Sequence, residues 1–394
     1  MRNAFRAKFS FGSRILFFLM SAIVVASAIN LIFLFEIKNL ESGVQDEYLI
    51  DGYFYLHLGQ EALRLANRDG MSIYAAADSL RPNISSSGIV FLSSLTSAVI
   101  PWPWLVPTFF ACVYTALVVV LSRTYRLEKN FYLLFFSGLL PYLYIPTKEA
   151  FFTIGLMLVL VCIRRSARIA LLPVAAGIMY LARPEAFFIL AASFTAYVLL
   201  RRWSRAKLVL LMAAAVGIYW IVLREMVADT SRLFQLTAET AETGFCNVGP
   251  LSVCVPDSGA AEYIYMQRLL SLLGLPFKWL SDIFELLSDD TLSPSAWILR
   301  LALGMQLVAI GIALRQRIRS GRPLDTIQVV LLIFALLYIS IYSTVLYYQV
   351  TRQALLALHI VLLALLLSEA SSFSCRRFRF KFLPTGPKPA PLSH

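Results

Sequence analysis

Two charged pairs interrupt long apolar runs, Lys148-Glu149 within TKEAFF and Arg183-Pro184-Glu185 within LARPEAFF. Each cation stands where an apolar stretch that reads as a helix begins, marked by Pro146-Thr147 in one case and Pro184 in the other. Thr suits a helix cap and Pro its first turn. A cation there is disfavoured by the helix dipole, whereas an anion is favoured. A cation beside unpaired backbone N–H groups therefore makes a phosphate site. Arg352, in VTRQALLAL, adds a guanidinium fork that matches phosphate oxygens. The plainer reading is structural: Glu149 and Glu185 complement the dipole from the first turn, and each can pair with its basic neighbour.

A bound phosphate ester becomes chemistry only if another group is activated beside it. Asp46, Glu47 and Asp51 cluster in QDEYLIDGYFY, and adjacent carboxylates can serve as a general base toward a hydroxyl. They can also hold a divalent cation, Mg or Mn, against phosphate. A solvated acidic loop is the alternative. The nearby Tyr48, Tyr53 and Tyr55 could stack on sugars, although tyrosine at a membrane interface usually anchors the chain. His57 could join this set, while His359 reads as packed within the last helix. There is no nucleotide loop, no Cys/His metal pattern and no Ser/His/Asp arrangement.

The elements that must carry these residues follow from composition. Of 394 residues 59% are hydrophobic and 15% charged, and the mean hydropathy is +0.72, the range of polytopic membrane proteins. The net charge of +12 does not point to nucleic acid, because Lys and Arg are not spread along one wet face. They sit in short clusters between apolar runs, as in Arg123/Arg126/Lys129, Arg164/Arg165/Arg168, Arg201/Arg202/Arg205/Lys207 and Arg315/Arg317/Arg319/Arg322. The turns between these clusters carry most of the acids, which is a positive-inside pattern.

That pattern predicts an all-α polytopic integral membrane protein of about ten transmembrane helices. The spans fall near 15–35, 105–122, 130–146, 148–163, 169–182, 184–200, 208–224, 296–314, 325–346 and 353–368. Both termini, 1–14 and 369–394, are basic and assigned to the cytoplasm, and 15–368 forms one transmembrane domain. Spans 148–163 and 169–182 fall short of the usual ~20 residues, so their outer ends are expected to line a wet cavity. Ala26-Ser27-Ala28 resembles a cleavage site, but the apolar run continues through Phe35 and reads as an uncleaved anchor.

Two outer loops, near 36–104 and 225–295, are expected to carry amphipathic helices. In the first, Tyr55, Leu58, Ala62, Leu63 and Leu65 recur at helical spacing between Gly52 and Arg68, predicting a helix lying on the membrane. Ile89–Ile100, ending at Pro101-Trp102-Pro103-Trp104, is too short to cross and reads as interfacial or re-entrant. The second loop has an amphipathic stretch at Tyr263–Leu287 and two cysteines, Cys246 and Cys254, which form a candidate disulfide at an oxidising outer face. The tail beyond Ser371 is basic and Pro-rich, suited to anionic lipid headgroups.

A first outer loop that begins Asp46-Glu47 just after the first helix resembles the polytopic GT-C glycosyltransferases. That resemblance implies an acidic catalytic base, Asp46 with Glu47 second, and a polyprenyl-phosphate-linked sugar as donor. TKEAFF, LARPEAFF and VTRQALLAL also look like bacterial surface-polysaccharide membrane proteins, including O-antigen-type polymerases that join undecaprenyl-pyrophosphate-linked repeats. The implied setting is the periplasmic face of a bacterial inner membrane, with membrane lipid and the lipid-linked saccharide as partners and no nucleic acid. Lys148, Arg183 and Arg352 would hold the phosphate. A transporter of lipid-linked saccharides, with the same basic cavity and no chemistry, is the alternative from another class; an assembly scaffold is a third.

Overall fold

The computed structural model describes residues 15–17, 19–24, 26, 47–81, 84–125, 127, 133–134, 145–164, 170–202, 294–321, 324–345 and 350–367. The expected spans 208–224 and most of 15–35 and 130–146 lie outside these residues. So do the second outer loop, with Tyr263–Leu287, Cys246 and Cys254, and the tail. Every regular element among the described residues is a helix, with no strand among them. One helical stretch, Pro103–Tyr125, is by length and composition long and apolar enough to cross a membrane; Leu172–Ala182, Pro184–Leu199, Thr326–Tyr338 and Leu356–Leu366 are shorter apolar stretches.

Three helices form a cap. Helix α1 (Glu47–Asp69) is followed by α2 (Ile73–Leu80), whose start is capped by the Ser72 hydroxyl accepting the Ala75 N–H at 3.2 Å. Helix α3 (Ile84–Val99) completes the unit. Ala62 and Ala66 of α1, Ala76 and Ala77 of α2 and Val90 of α3 make a small separate core, with Tyr55, Leu58 and Leu65 packed on it. The apolar stripe anticipated between Gly52 and Arg68 is thus real, but α2 and α3 cover it; the helix does not rest that face on a membrane. Small residues on all three helices allow this close approach.

The run from Ile89 belongs to a longer helix than its apolar stretch suggests. The helix begins earlier, at Ile84, and from Ser87 to Val90 it is buried; it packs on α1, α2 and the later helix α6 (Leu172–Ala182). A serine-rich start reads as a loop by propensity, but here Ser87, Ser93 and Ser94 are fully buried at helix contacts. A Cβ on Gly88 would lie 2.2 Å from the carbonyl oxygen of Leu181, so the α3 and α6 backbones touch. The far end of α3 emerges: Leu95, Val99, Trp102 and Trp104 are exposed.

The bundle proper holds α4 (Val106–Tyr125), α5 (Lys148–Arg164), α6, α7 (Pro184–Arg202), α8 (Pro294–Ser320), α9 (Thr326–Val345) and α10 (Val350–Leu366). Helix α5 and α6 form an antiparallel hairpin, pressed together where Gly155 meets Met179 and the Ala175 carbonyl. Aromatic contacts tie the rest: Phe110 meets Phe151 edge-on at 5.4 Å, Phe152 stacks on Phe334 at 5.9 Å, and Tyr114 lies 6.2 Å from His359. His359 is fully buried, as anticipated.

The two ends of the bundle differ in charge. At one end the Tyr125 hydroxyl donates to the Leu160 carbonyl at 2.8 Å and Arg164 lies over the Tyr125 ring at 5.6 Å. Tyr197 and Thr326 share a hydrogen bond of 2.8 Å there, joining the end of α7 to the start of α9. Asp325 and Gln328 cap α9 reciprocally, at 2.8 and 2.9 Å, and the Gln328 amide also donates to the Ala364 carbonyl at 2.7 Å. Arg123, Arg164, Arg317 and Arg319 all occupy last turns at this end. The opposite end, where α5 and α7 begin, carries Lys148, Glu149, Arg183 and Glu185.

Candidate functional site at the charged corner

The corner is built by two helix starts meeting one helix end. Thr147 caps α5: its hydroxyl accepts the Ala150 N–H at 3.1 Å and its carbonyl accepts the Phe151 N–H at 3.2 Å. Pro184 opens α7, and Arg183 bridges α6 and α7 through its own backbone, donating to the Met179 carbonyl at 2.9 Å and accepting from Phe187 at 3.0 Å. Both caps stand where the Pro and Thr signals predict. A helix needs partners for its first N–H groups, and here the chain supplies them locally.

The side chains pair differently from the neighbour-with-neighbour expectation. Glu149 does not turn to Lys148; its carboxylate receives the guanidinium NH2 of Arg183, thirty-four residues on in the chain. The reason is geometric, since successive helix positions point about 100° apart. Glu149 therefore faces inward, and Lys148 is left half-buried with its Nζ 5.9 Å from the Tyr55 ring of the cap. The Arg183–Glu185 pair is as expected, NH1 to Oε1 at 3.3 Å. The Arg183 and Glu149 side chains are only 4% and 3% exposed, whereas Glu185 is 41% exposed. One guanidinium thus locks two helix starts together through carboxylates that complement both helix dipoles.

The cap reaches this corner from the other side. Gly52 of α1 packs on Ile145, just before the Thr147 cap, and Tyr55 meets Lys148. The backbones of Glu47 and Asp51 belong to the same first part of α1 as Gly52 and Tyr55. Asp46, and the side chains of Glu47, Asp51 and Arg352, lie outside the described residues. The Arg352 backbone is in the first turn of α10, at the same end of the bundle. His57 is not brought in: it is exposed, two residues from Tyr55 and so on another side of α1. It stands one turn before Glu61, whose carboxyl a hydrogen bond from Arg64 holds below its ordinary value.

No three His, Cys, Asp or Glu side chains gather as a metal site among the described residues. The residues that pattern reasoning missed are Tyr55 as the seat of Lys148, and Arg81, which lies 4.9 Å over the Phe54 ring. Arg81 had one signal: no charged residue lies between it and Arg123. Comparison with protein-family models, with curated proteins and with solved structures finds no match for this chain.

Proposed function

We propose that this chain is a polytopic membrane glycosyltransferase of about ten spans that acts at the corner end on a polyprenyl-phosphate-linked sugar. The observation that carries this reading is a juxtaposition. The Lys148 end of the corner meets Gly52 and Tyr55 of α1, in the turns that follow Glu47, at the end of the bundle opposite the basic last turns. Positive-inside orientation assigns the basic end to the cytoplasm and the corner to the outer face. Extremely apolar composition supports insertion of the whole bundle.

In this reading Lys148 faces the donor phosphate, with Arg352 as a second cation at the same end. Arg183 is a positioning residue, because its charge is spent on Glu149 and Glu185. Asp46, with Glu47 second, takes the proton of the acceptor hydroxyl as that oxygen bonds to the anomeric carbon. The carbon–oxygen bond to the phosphate breaks, and the polyprenyl phosphate leaves with the electron pair, its charge held by the cations. A divalent cation on the same acids would supply further charge against the phosphate. A polymerase joining pyrophosphate-linked repeats would use the same parts.

Purified protein incubated with undecaprenyl-linked sugars is expected to give a longer glycan by mass spectrometry, and Asp46→Asn is expected to lower the rate about 10²-fold. Product length separates single transfer from polymerisation. No covalent product, together with movement of the lipid-linked sugar across reconstituted vesicles, would replace transfer by transport.

Membrane insertion has its own test at the end of α3. Tryptophan favours the headgroup level, and Trp102 and Trp104 are exposed where the apolar Pro103–Tyr125 stretch begins. In vesicles whose lipids carry bromine near the headgroup, fluorescence quenching is expected to drop in the Trp102→Phe/Trp104→Phe variant. Unchanged quenching, with equal access to aqueous iodide, would place the loop in water.

A further inference from the structure

The cap carries three arginines, and two of them are occupied. Arg64 grips Glu61 at 3.0 and 2.6 Å, and Arg68 grips Asp69 at 2.7 and 2.9 Å. Arg81, at the end of α2, makes no ion pair among the described residues and is exposed. Its guanidinium lies instead on Phe54, a ring that is itself 39% exposed. Phe54 stands 5.8 Å from Tyr55, tilted by 59°, and Tyr55 in turn meets Lys148 at 5.9 Å. The order is cation, ring, ring, cation, running from the end of α2 to the charged corner.

Each member suits one part of an anionic saccharide. The exposed Phe54 ring takes the apolar face of a sugar, the half-buried Tyr55 ring beside it adds a smaller share, and a guanidinium without an ion pair among the described residues keeps its donor fork for an outside anion. A cation at a helix C-terminus is also where the dipole favours it, so Arg81 can stay charged without a partner.

We propose that Arg81, Phe54, Tyr55 and Lys148 form one binding track for an acidic saccharide linked to a lipid phosphate. The phosphate lies at Lys148, sugar rings cover Phe54 and Tyr55, and an anionic group on the sugar reaches Arg81. This rests on the proposed reading that the ligand is a lipid-linked saccharide, and it adds that the saccharide is acidic.

Binding is measured on the full-length protein in nanodiscs with three probes: farnesyl phosphate, farnesyl phosphoryl glucose and farnesyl phosphoryl glucuronic acid. Wild type is expected to prefer the glucuronyl probe to the glucosyl one by about tenfold, the worth of one charge-assisted hydrogen bond. Arg81→Gln erases that preference and leaves farnesyl phosphate binding unchanged. Phe54→Leu weakens both sugar probes, and Lys148→Gln weakens all three. Arg81 and Phe54 are exposed, so these variants should unfold at the wild-type temperature. If Arg81→Gln and Phe54→Leu bind every probe as wild type does, the row is surface packing and the track is wrong. If wild type binds none of the three, the lipid-linked saccharide reading falls with it.

Discussion

Replacing Arg183 with Met is expected to lower unfolding stability by about 3–5 kcal/mol, the penalty for leaving a buried charge without its partner. Glu149 would be that charge: its side chain is 3% exposed, and Arg183 reaches it across the α5–α6 hairpin. Replacing both residues by Met should recover most of the loss, because an apolar pair of similar volume needs no solvation. Arg183→Lys should not recover it, since an ammonium lacks the planar fork that serves Glu149 and Glu185 together. Denaturation midpoints in micelles measure all three. A single Arg183→Met variant as stable as wild type would mean the pair does not hold the hairpin. The double variant also separates roles: folded and inactive, it would show that the pair positions the ligand site; folded and active, that it serves only the scaffold.

Gly88→Ala should cost about 3 kcal/mol, at the upper end of overpacking penalties. The added methyl would lie 2.2 Å from the Leu181 carbonyl oxygen and 3.0 Å from its Cα, both backbone atoms that cannot rotate away. Helices α3 and α6 would have to separate, and α6 ends at Ala182, next to Arg183. Gly177→Ala is the matched control on α6, with nothing within 4 Å of its new methyl. There the better helix propensity of Ala should leave stability unchanged or raise it by up to about 1 kcal/mol. Equal midpoints for the two variants would show that α3 and α6 do not touch in solution.

Among the described residues, helix positions were largely legible because apolar runs and their caps are local signals. Pro146-Thr147 and Pro184 mark the starts of α5 and α7 where the structure has them. The corner was legible as a set of residues but not as a set of pairs. Adjacency made Lys148–Glu149 look like a couple, whereas the helical turn sends Glu149 to Arg183 and Lys148 to Tyr55. The cap was misjudged for a related reason: the stripe through Leu58 and Ala62 announces an apolar face, but nothing local says whether lipid or protein covers it. Gln328 shows the same limit. Its role in capping α9 follows from Asp325 three residues earlier, yet its bond to the Ala364 carbonyl depends on a helix that arrives later in the chain.

Helix α6 has eleven residues, Leu172–Ala182, and so rises about 16 Å, roughly half of a ~30 Å hydrocarbon layer. A bilayer surrounding this bundle would face hydrophobic mismatch at that one helix and would thin beside it. Thinning draws the phosphate plane of the lipids down toward the Arg183 turn, so a lipid-linked ligand could meet the corner without leaving its leaflet. Bilayers of shorter acyl chains would then ease the deformation, and under the proposed reading membrane thickness itself would tune how readily this protein loads.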